Sequence, residues 1–228
     1  ANKRPVAKDA FDSQDRLLLG QGTSTNYNYY LGEFDSTGFA HIYSSSGSTV
    51  SEYMVDQEFY IYKNGVKEGS IFYSDAAYQT VKTSFLFFRT STNNGAKWSA
   101  PTLVPMQRAD ECFLGVGPGR GLVIDNPNGS GSKRILFSCY HWEDKTNPNN
   151  YQKSCFIYSD DGGITWTRSA DATDQSGSIL GNASWSSENQ LVELNNGTIR
   201  MFYRNGEDQI CYVDYTWNGS SYSKGSNV

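Results

Sequence analysis

Asn-Gly dipeptides recur along this chain between short stretches of apolar and aromatic residues. Both residues tolerate the positive φ that a tight hairpin turn requires. Examples stand at Asn64-Gly65, Asn128-Gly129, Asn196-Gly197, Asn205-Gly206 and Asn218-Gly219. Strand character lies between turn signals at 39–43, 58–62, 84–89, 120–124, 134–140, 154–159, 190–194, 198–203 and 209–215. Aromatic residues make up 14% of the chain, and runs of strong helix formers are nearly absent. The pattern predicts an all-β chain of short antiparallel strands.

The clearest hairpin is predicted at 190–204. Apolar and polar residues alternate in 190–194 and again in 198–203, on either side of Asn195-Asn196-Gly197. Alternation on both sides of a turn signal indicates two paired strands with one buried face. The stretch at about 21–84 is rich in Tyr, Ser and Thr and less regular, so we expect an irregular β insertion there.

The charge balance limits the function classes. Nineteen basic residues against 24 acidic ones give a net charge of -5, without a cluster that could follow a phosphate backbone. We therefore expect no nucleic-acid partner. No apolar run approaches the roughly 18 to 20 residues of a membrane span, and the first residues lack a signal-peptide pattern. We expect neither feature in this chain.

Metal and disulfide chemistry are not expected. The four cysteines show no Cys-x-x-Cys spacing, and His41 and His141 are the two histidines of the sequence. This composition does not favour a zinc site, and we predict no cofactor. Cys139 and Cys155 stand in apolar strand-like runs, where buried free thiols are favoured over a disulfide.

One motif, Ser-x-Asp/Asn-x-Gly-x-Thr/Lys-Trp, occurs twice, each time after an apolar strand candidate. The complete copy has Ser159, Asp161, Gly163, Thr165 and Trp166, and the degenerate copy has Ser91, Asn93, Gly95, Lys97 and Trp98. The Asp or Asn side chain can accept hydrogen bonds from backbone N–H groups of the turn, while the glycine takes positive φ and the tryptophan packs beneath. The motif predicts a stapled hairpin.

This motif resembles the Asp box of sialidases, where it lies on the outer turns of propeller blades, away from the catalytic centre. The resemblance implies a six-bladed β-propeller of the sialidase type. At about 50 residues a blade, the chain would form roughly four blades. We therefore expect a partial propeller domain over 1–228, with blades at 85–228. An Asp box also occurs in other secreted propellers, so alone it indicates a fold and not an activity.

A second segment, at 186–205, is similar to the Glu-x-x-Val-Val-x-Leu-x-Asp/Asn-Gly-x-(apolar)-x-x-x-x-Arg block of bacterial sialidases of glycoside hydrolase family 33. The matching positions are Glu188 and Arg204. In that family the glutamate pairs with a nucleophilic tyrosine, and the arginine is one of three that hold the substrate carboxylate. Stretches at 112–121 and 134–140 extend the likeness, which implies that Phe113, Tyr140 and Ser187 line the sugar pocket.

The chemistry explains why these residue types are needed. Sialic acid carries a carboxylate beside the reacting carbon, which would repel a carboxylate nucleophile. Sialidases use a tyrosine instead, and a nearby base must draw off its phenolic proton. Glu188 would be that base. Arg204 would hold the substrate carboxylate through the planar fork of its guanidinium group.

Simpler structural interpretations stay open. A glutamate on a strand is usually a solvated surface residue, and core packing competes closely with pocket lining for Phe113 and Tyr140. Glu143 and Asp144, beside His141 and Trp142, can be interpreted as an acid/base group, although a solvated loop is favoured. The pair Asp160-Asp161 suggests a metal or acid pair, until the Asp box explains it as turn chemistry.

The resemblance implies further catalytic groups that we do not locate: an aspartate acid/base, a tyrosine nucleophile and two more arginines. We therefore expect a fragment, inactive alone and completed by the rest of the same propeller. The leading hypothesis is a secreted or cell-surface exo-α-sialidase that acts on sialylated glycans with retention of configuration. The alternative is a non-catalytic glycan-binding or structural Asp-box propeller.

Overall fold

The computed structural model describes residues 7–143, 152–173, 186–205 and 209–228. Apart from a short 3-10 helix at Ala7–Asp9, the regular elements of these residues are all strands, so the all-β prediction is confirmed. The chain forms two compact units, Ala1–Asp110 and Glu111–Val228.

The first unit is built on a seven-stranded antiparallel sheet in the order β6-β5-β4-β3-β2-β1-β7. Its strands are β1 Leu18–Gln21, β2 Tyr29–Phe34, β3 Phe39–Ser44, β4 Thr49–Asp56, β5 Tyr60–Lys63, β6 Val66–Ser70, β7 Tyr78–Gln79, and the separate pair β8 Phe87–Phe88 and β9 Thr102–Leu103. Strands β1 to β6 follow one another as neighbours. Three of their pairings contain register shifts. The region expected as an irregular β insertion therefore contains a β-meander, in which the strand register is irregular at these three pairings.

Local turn chemistry explains where β5 begins. The Asp56 carboxylate accepts hydrogen bonds from the backbone N–H groups of Glu58 and Tyr60, and Phe59 between them has a φ of 63°. This turn moves the start of the strand from the predicted position 58 to Tyr60. At the other end of β5, Asn64 and Gly65 have φ values of 47° and 82°, as a tight hairpin requires.

The second unit contains two sheets. The strands are β10 Glu111–Val116, β11 Leu122–Asp125, β12 Lys133–Glu143, β13 Lys153–Ser159, β14 Thr167–Arg168, β15 Ser186–Glu193, β16 Ile199–Asn205, β17 Ile210–Trp217 and β18 Tyr222–Asn227. The first sheet has the order β10-β12-β13-β14, with β11 also paired to β12, and the second has the order β15-β16-β17-β18. The hairpin predicted at 190–204 is confirmed as β15 and β16, with Gly197 at a φ of 77°.

A shared apolar core joins the two sheets of the second unit. Leu136 and Phe156 from the first sheet pack in one cluster with Met201, Val213 and Tyr215 from the second, and all five side chains are fully buried. Burial of an aliphatic or aromatic side chain of this kind contributes about 1.5–3 kcal/mol relative to exposure. The core therefore fixes the separation of the two sheets.

A buried arginine closes this core at one end. Arg134 has no exposed side-chain surface, and its guanidinium forms a bidentate pair with Asp160 at 2.7 Å in both contacts. The guanidinium carbon lies 4.1 Å from the ring centroid of Trp217 and 4.5 Å from that of Tyr158. Asp160 is thus a structural partner, and not part of a metal or acid pair.

The complete Asp box forms the predicted stapled turn after β13. Asp161 accepts hydrogen bonds from the hydroxyls of Ser159 and Thr165 and from the backbone N–H groups of Ile164 and Thr165. Gly163 has a φ of 96°. The Trp166 ring packs 5.9 Å from that of Phe137, centroid to centroid.

The degenerate copy, between β8 and β9, shares part of this hydrogen-bond pattern. Asn93 accepts from the Ser91 hydroxyl and the Lys97 backbone N–H, and Ser91 accepts from the Gly95 N–H at 2.9 Å. Trp98 is 53% exposed, so its packing beneath the turn is weaker than that of Trp166. An asparagine therefore reproduces the turn without the charge.

We expect Asp161→Asn to keep the turn and Asp161→Ala to lower the free energy of unfolding by about 0.5–1.5 kcal/mol, because alanine removes the acceptor of several exposed turn hydrogen bonds. Partial burial would raise the pKa of the Asp161 carboxyl, but hydrogen bonds from Thr165 and Ser159 outweigh it and lower the pKa to about 2. A depressed folded-state pKa stabilises above the unfolded value near 3.8 and loses that effect as the pH falls towards 2.

Urea unfolding at several pH values tests this linkage. The advantage of the wild type over Asp161→Asn should be present at about pH 6 and shrink between about pH 4 and about pH 2. Asn93→Ala is the matched control, since an amide does not titrate. An Asp161→Asn difference that stays constant with pH would contradict the prediction.

Candidate active site

Glu188 and Arg204 meet at one end of the β15–β16 hairpin. The pairing register shifts between Ser187 and Gln190, which leaves one extra residue in β15, a β-bulge. Glu188 lies in this bulge with a φ of 43°. Its Oε2 accepts a hydrogen bond from Nε of Arg204 at 2.7 Å, and the two side chains are 54% and 37% exposed. The two residues singled out by the sequence therefore form an accessible ion pair.

Ser187 lies directly opposite Arg204 in the register of β15 and β16. Its surface is only 2% exposed, and its predicted place in the sugar pocket stays a prediction. The preceding residue, Ser186, ties the two sheets together, because its hydroxyl oxygen accepts a hydrogen bond from the Ser154 backbone N–H at 2.7 Å. That bond links β15 to β13.

Phe113 and Tyr140 form a ring pair in the other sheet. Their centroids are 5.3 Å apart, and both side chains are partly exposed. In the register of β10 and β12, Gly115 lies opposite Tyr140, and a Cβ on Gly115 would lie 2.5 Å from the Phe113 ring. Glycine at this position thus lets the Phe113 ring lie over the strand. The partial exposure of both rings is compatible with packing and with pocket lining.

Asn189 links the Glu188–Arg204 ion pair to the strand that carries Tyr140 of the Phe113–Tyr140 ring pair. Its side-chain Nδ2 donates a hydrogen bond to the backbone carbonyl of Cys139 at 2.6 Å, and its surface is 0% exposed. Since Asn189 follows Glu188 and Cys139 precedes Tyr140, this bond holds the Glu188 bulge beside the Tyr140 end of β12. Gly117 allows the close approach, because a Cβ there would lie 2.6 Å from the Asn189 carbonyl oxygen.

A buried ionic network lies on β10, β12, β14 and the segment after β14, and the sequence patterns did not predict it. The His141 ring contacts Glu111 through Nδ1 at 2.8 Å and Asp171 through Nε2 at 3.0 Å. Arg168 donates to Glu111 at 2.9 Å. The side chains of His141 and Glu111 have no exposed surface. When His141 is protonated, the network contains two cations, His141 and Arg168, and the two carboxylates of Glu111 and Asp171. Its charges are then balanced, as buried charges require.

Glu143 belongs to neither of the alternatives predicted for it. It is the last residue of β12, and its carboxylate pairs with Lys153 at 2.6 Å, with both side chains largely buried. It is therefore not part of a solvated loop, and its ion pair differs from an acid/base group with His141. Asp144 lies outside the described residues.

We expect the His141 network to make stability depend on pH. Burial lowers the pKa of the ring, but hydrogen bonds to Asp171 and Glu111 outweigh it, and the net effect raises the pKa above its usual 6.5. A raised folded-state pKa contributes stability that is complete below about pH 6.5 and is lost as the pH rises through the folded pKa.

His41→Gln leaves His141 as the single histidine of the chain, so one ring titrates in an NMR experiment. We expect its midpoint above that of an unfolded-state peptide. We also expect the urea midpoint of this variant to fall as the pH rises past about 6.5. A ring that stays neutral at about pH 6 would contradict the prediction.

The Asp box and Tyr140 of the candidate site lie towards opposite ends of the first sheet of the second unit. Tyr140 lies opposite Ser154 at the start of β13, whereas Ile135 lies opposite Ser159, the first residue of the Asp box. The resemblance implied this separation. The four cysteines lie within the described residues, where they are buried and form no disulfide bond, as expected for Cys139 and Cys155, which face each other in the register of β12 and β13.

The described residues contain neither a metal cluster nor a membrane-spanning helix. No group of three or more His, Cys, Asp or Glu residues among them is arranged to hold a metal ion. In the same part of the chain, no helix has the length and apolar character needed to cross a membrane.

Comparison with known proteins identifies the family. A family model described as a BNR repeat-like domain matches residues 62–227. The chain belongs to this family. Both Asp boxes lie within the matched residues of this BNR repeat-like chain, and so does the candidate site.

The relatives with curated names are sialidases. An anhydrosialidase from Macrobdella decora is 27% identical over 198 residues, which cover 86% of this chain and 23% of the relative. Sialidase B from Streptococcus pneumoniae is 30% identical over 142 residues, which cover 59% of this chain and 16% of the relative. The chain therefore spans less than a quarter of the length of either relative.

The chain is also similar to a solved sialidase structure. The intramolecular trans-sialidase from Ruminococcus gnavus, in complex with oseltamivir carboxylate, superposes with a TM-score of 0.71 at 25% identity. The match covers 99% of this chain and 47% of that chain. The structural neighbours are sialidase β-propellers, which confirms the predicted fold class and the resemblance to sialidases.

Proposed function

We propose that the protein containing this chain is a secreted or cell-surface exo-α-sialidase that removes terminal sialic acid from glycans. The observation that carries the proposal is the ion pair between Glu188 and Arg204, 2.7 Å apart and open to solvent. Both groups that the chemistry needs, a base and a carboxylate-binding cation, meet at one place.

Glu188 serves as the base in this proposal. It takes the phenolic proton of a tyrosine, whose oxygen then attacks the anomeric carbon. The bond to the leaving sugar breaks, and the acid/base aspartate implied by the resemblance gives a proton to the leaving oxygen. Proton transfer by a positioned side chain contributes about 10²–10⁴-fold to a rate. The 54% exposure of Glu188 lets a partner side chain reach the carboxylate.

Arg204 binds the substrate carboxylate. A guanidinium group stays charged and presents a planar fork, which suits a carboxylate better than the point charge of lysine. Phe113 and Tyr140 would offer apolar ring surface to the sugar, next to the Asn189 bond that ties their strand to the Glu188 bulge. The remaining catalytic groups implied by the resemblance, and the rest of the propeller as a partner, belong to the same proposal.

Kinetics with a fluorogenic sialoside test both roles in the protein that contains this chain. We expect Glu188→Gln to lower kcat by about 100-fold or more with little change in KM, because only the transition state uses the base. We expect Arg204→Lys to raise KM by about 10-fold or more, because the bidentate contact is lost.

Arg200 provides a matched control on the same face of β16. It forms a bidentate pair with Asp214 at 2.7 and 2.8 Å and is 27% exposed. Arg200→Lys should leave both kinetic constants within about two-fold, as for a surface pair. Unchanged activity in Glu188→Gln and Arg204→Lys, or no activity in the wild type, would leave the non-catalytic glycan-binding propeller as the better hypothesis.

Intramolecular transfer is a second candidate for the reaction. The names of the Macrobdella decora and Ruminococcus gnavus relatives, an anhydrosialidase and an intramolecular trans-sialidase, favour it. In such a reaction a hydroxyl of the sialic acid itself attacks the anomeric carbon, so no water enters the product.

Mass spectrometry of the released sugar distinguishes the two reactions. We expect free sialic acid from hydrolysis, labelled with ¹⁸O when the reaction runs in H₂¹⁸O. An unlabelled product lighter by one water would show intramolecular transfer and overturn hydrolysis. A control digest with Glu188→Gln should release little of either product.

A further inference from the structure

We propose that Asn189 is a positioning residue that holds Glu188 in its working conformation. The inference rests on the proposed function for what Glu188 does, but it concerns how the chain keeps Glu188 in place. The inference rests on two neighbouring features. Glu188 has left-handed backbone geometry, and the buried amide of Asn189, the next residue, forms a hydrogen bond to the other sheet.

The backbone of Glu188 needs an external restraint. Its φ of 43° lies in a region that residues other than glycine rarely adopt. Residues with such backbone angles are held in place by several contacts of the surrounding structure, and they cluster at functional sites. Nothing in an exposed glutamate side chain favours this geometry, so the restraint must come from its neighbours.

Asn189 supplies that restraint. Its side chain is fully buried, and Nδ2 donates to the Cys139 carbonyl at 2.6 Å. Within the described part of the chain, Oδ1 of this side chain has no hydrogen-bond partner. The amide is therefore oriented through Nδ2, and a rotation of the Glu188 backbone to an extended conformation would turn it away from β12. The buried bond and the left-handed φ are coupled.

Packing leaves the bulge little freedom on either side. The Asn189 carbonyl lies against Gly117, where even a methyl group would clash. Gln190, the residue after Asn189, donates a hydrogen bond from Nε2 to the Arg120 carbonyl at 3.2 Å, but that bond is exposed to solvent. Water can replace an exposed hydrogen bond, whereas the buried one has no substitute. Asn189 is therefore the dominant restraint.

The consequence for the site is geometric. Ser187, not Glu188, is paired with Arg204 in the register of the hairpin. The carboxylate reaches Nε of Arg204 from the extra residue of the bulge. If the bulge relaxes, the position of the carboxylate relative to the guanidinium changes, and a misplaced base loses rate without losing substrate affinity.

Asn189→Leu removes the donor at similar side-chain size, and Asn126→Leu is the matched control. Asn126 is also buried and donates to Ser132 at 3.2 Å, at the turn before β12. With a fluorogenic sialoside, we expect Asn189→Leu to lower kcat about 10-fold or more with KM within about three-fold. Asn126→Leu should lose stability without this change in kcat. Equal kcat in the two variants would overturn the inference.

A double variant and a pH profile exclude a general loss of folding. If Asn189 acts through Glu188, Glu188→Gln with Asn189→Leu should be no slower than Glu188→Gln alone. Asn189→Asp should recover activity relative to wild type on acidification, because a protonated carboxyl can again donate to the Cys139 carbonyl. Multiplicative losses, or an Asn189→Asp profile parallel to wild type, would count against the inference.

A crystal structure of Asn189→Asp at high and low pH separates this inference from the proposed function. We expect Glu188 to leave its positive φ at high pH and to regain it at low pH, whether or not the protein cleaves sialosides. A φ that stays near 43° at both pH values would refute the positioning role. An inactive wild type with a responsive bulge would refute only the proposed activity.

Discussion

The extra residue in β15 determines what the second unit presents at one end of its two sheets. In a regular strand, side chains alternate between faces, and a single insertion shifts this alternation. Here the shift brings the Asn189 side chain into the interior while Glu188 and Arg204 remain at the surface. The left-handed backbone at Glu188 costs of the order of 1–3 kcal/mol. A buried amide without its partner would cost a similar amount, so the buried bond is strong enough to maintain the bulge.

Two arginine–carboxylate pairs of the second unit differ in burial, and this difference determines how costly it is to separate each pair. Arg134 and Asp160 form a bidentate pair beneath aromatic rings, with the arginine fully buried. Removing Asp160 would leave the charge of the fully buried Arg134 uncompensated, a change that costs about 3–5 kcal/mol. Glu188 and Arg204 are half exposed, and pairs of that kind contribute about 0–1 kcal/mol. The exposed pair can therefore open at little cost for the substrate carboxylate of the proposed reaction, whereas opening the pair of the buried Arg134 is costly.

Local chemistry made part of this structure predictable. The Asn195-Asn196-Gly197 turn predicted the β15–β16 hairpin, and the Ser159 motif predicted the bonds around Asp161. Strand β4 was missed because most of its residues are exposed or partly exposed, so its sequence shows little apolar alternation. The Glu188–Arg204 pair was found through resemblance. The bulge that shapes it depends on Asn189 and Cys139, 50 residues apart in sequence. The His141 network was missed for the same reason, since its partners come from separate strands.

The Asp box and Tyr140 of the candidate site lie near different ends of β13. Their separation explains why an Asp box indicates a fold but not an activity. Ser154 at the start of β13 lies opposite Tyr140, and Ser159 at its end begins the Asp box. At about 3.4 Å per residue, these ends are roughly 17 Å apart. A hydrogen-bonded turn at that distance stabilises the strand ends but cannot touch a sugar in the proposed pocket near Tyr140. Propellers can therefore keep the Asp box while the opposite end of the sheet gains or loses chemistry. The activity must be judged from Glu188 and Arg204, and from the buried amide that holds the glutamate beside the arginine.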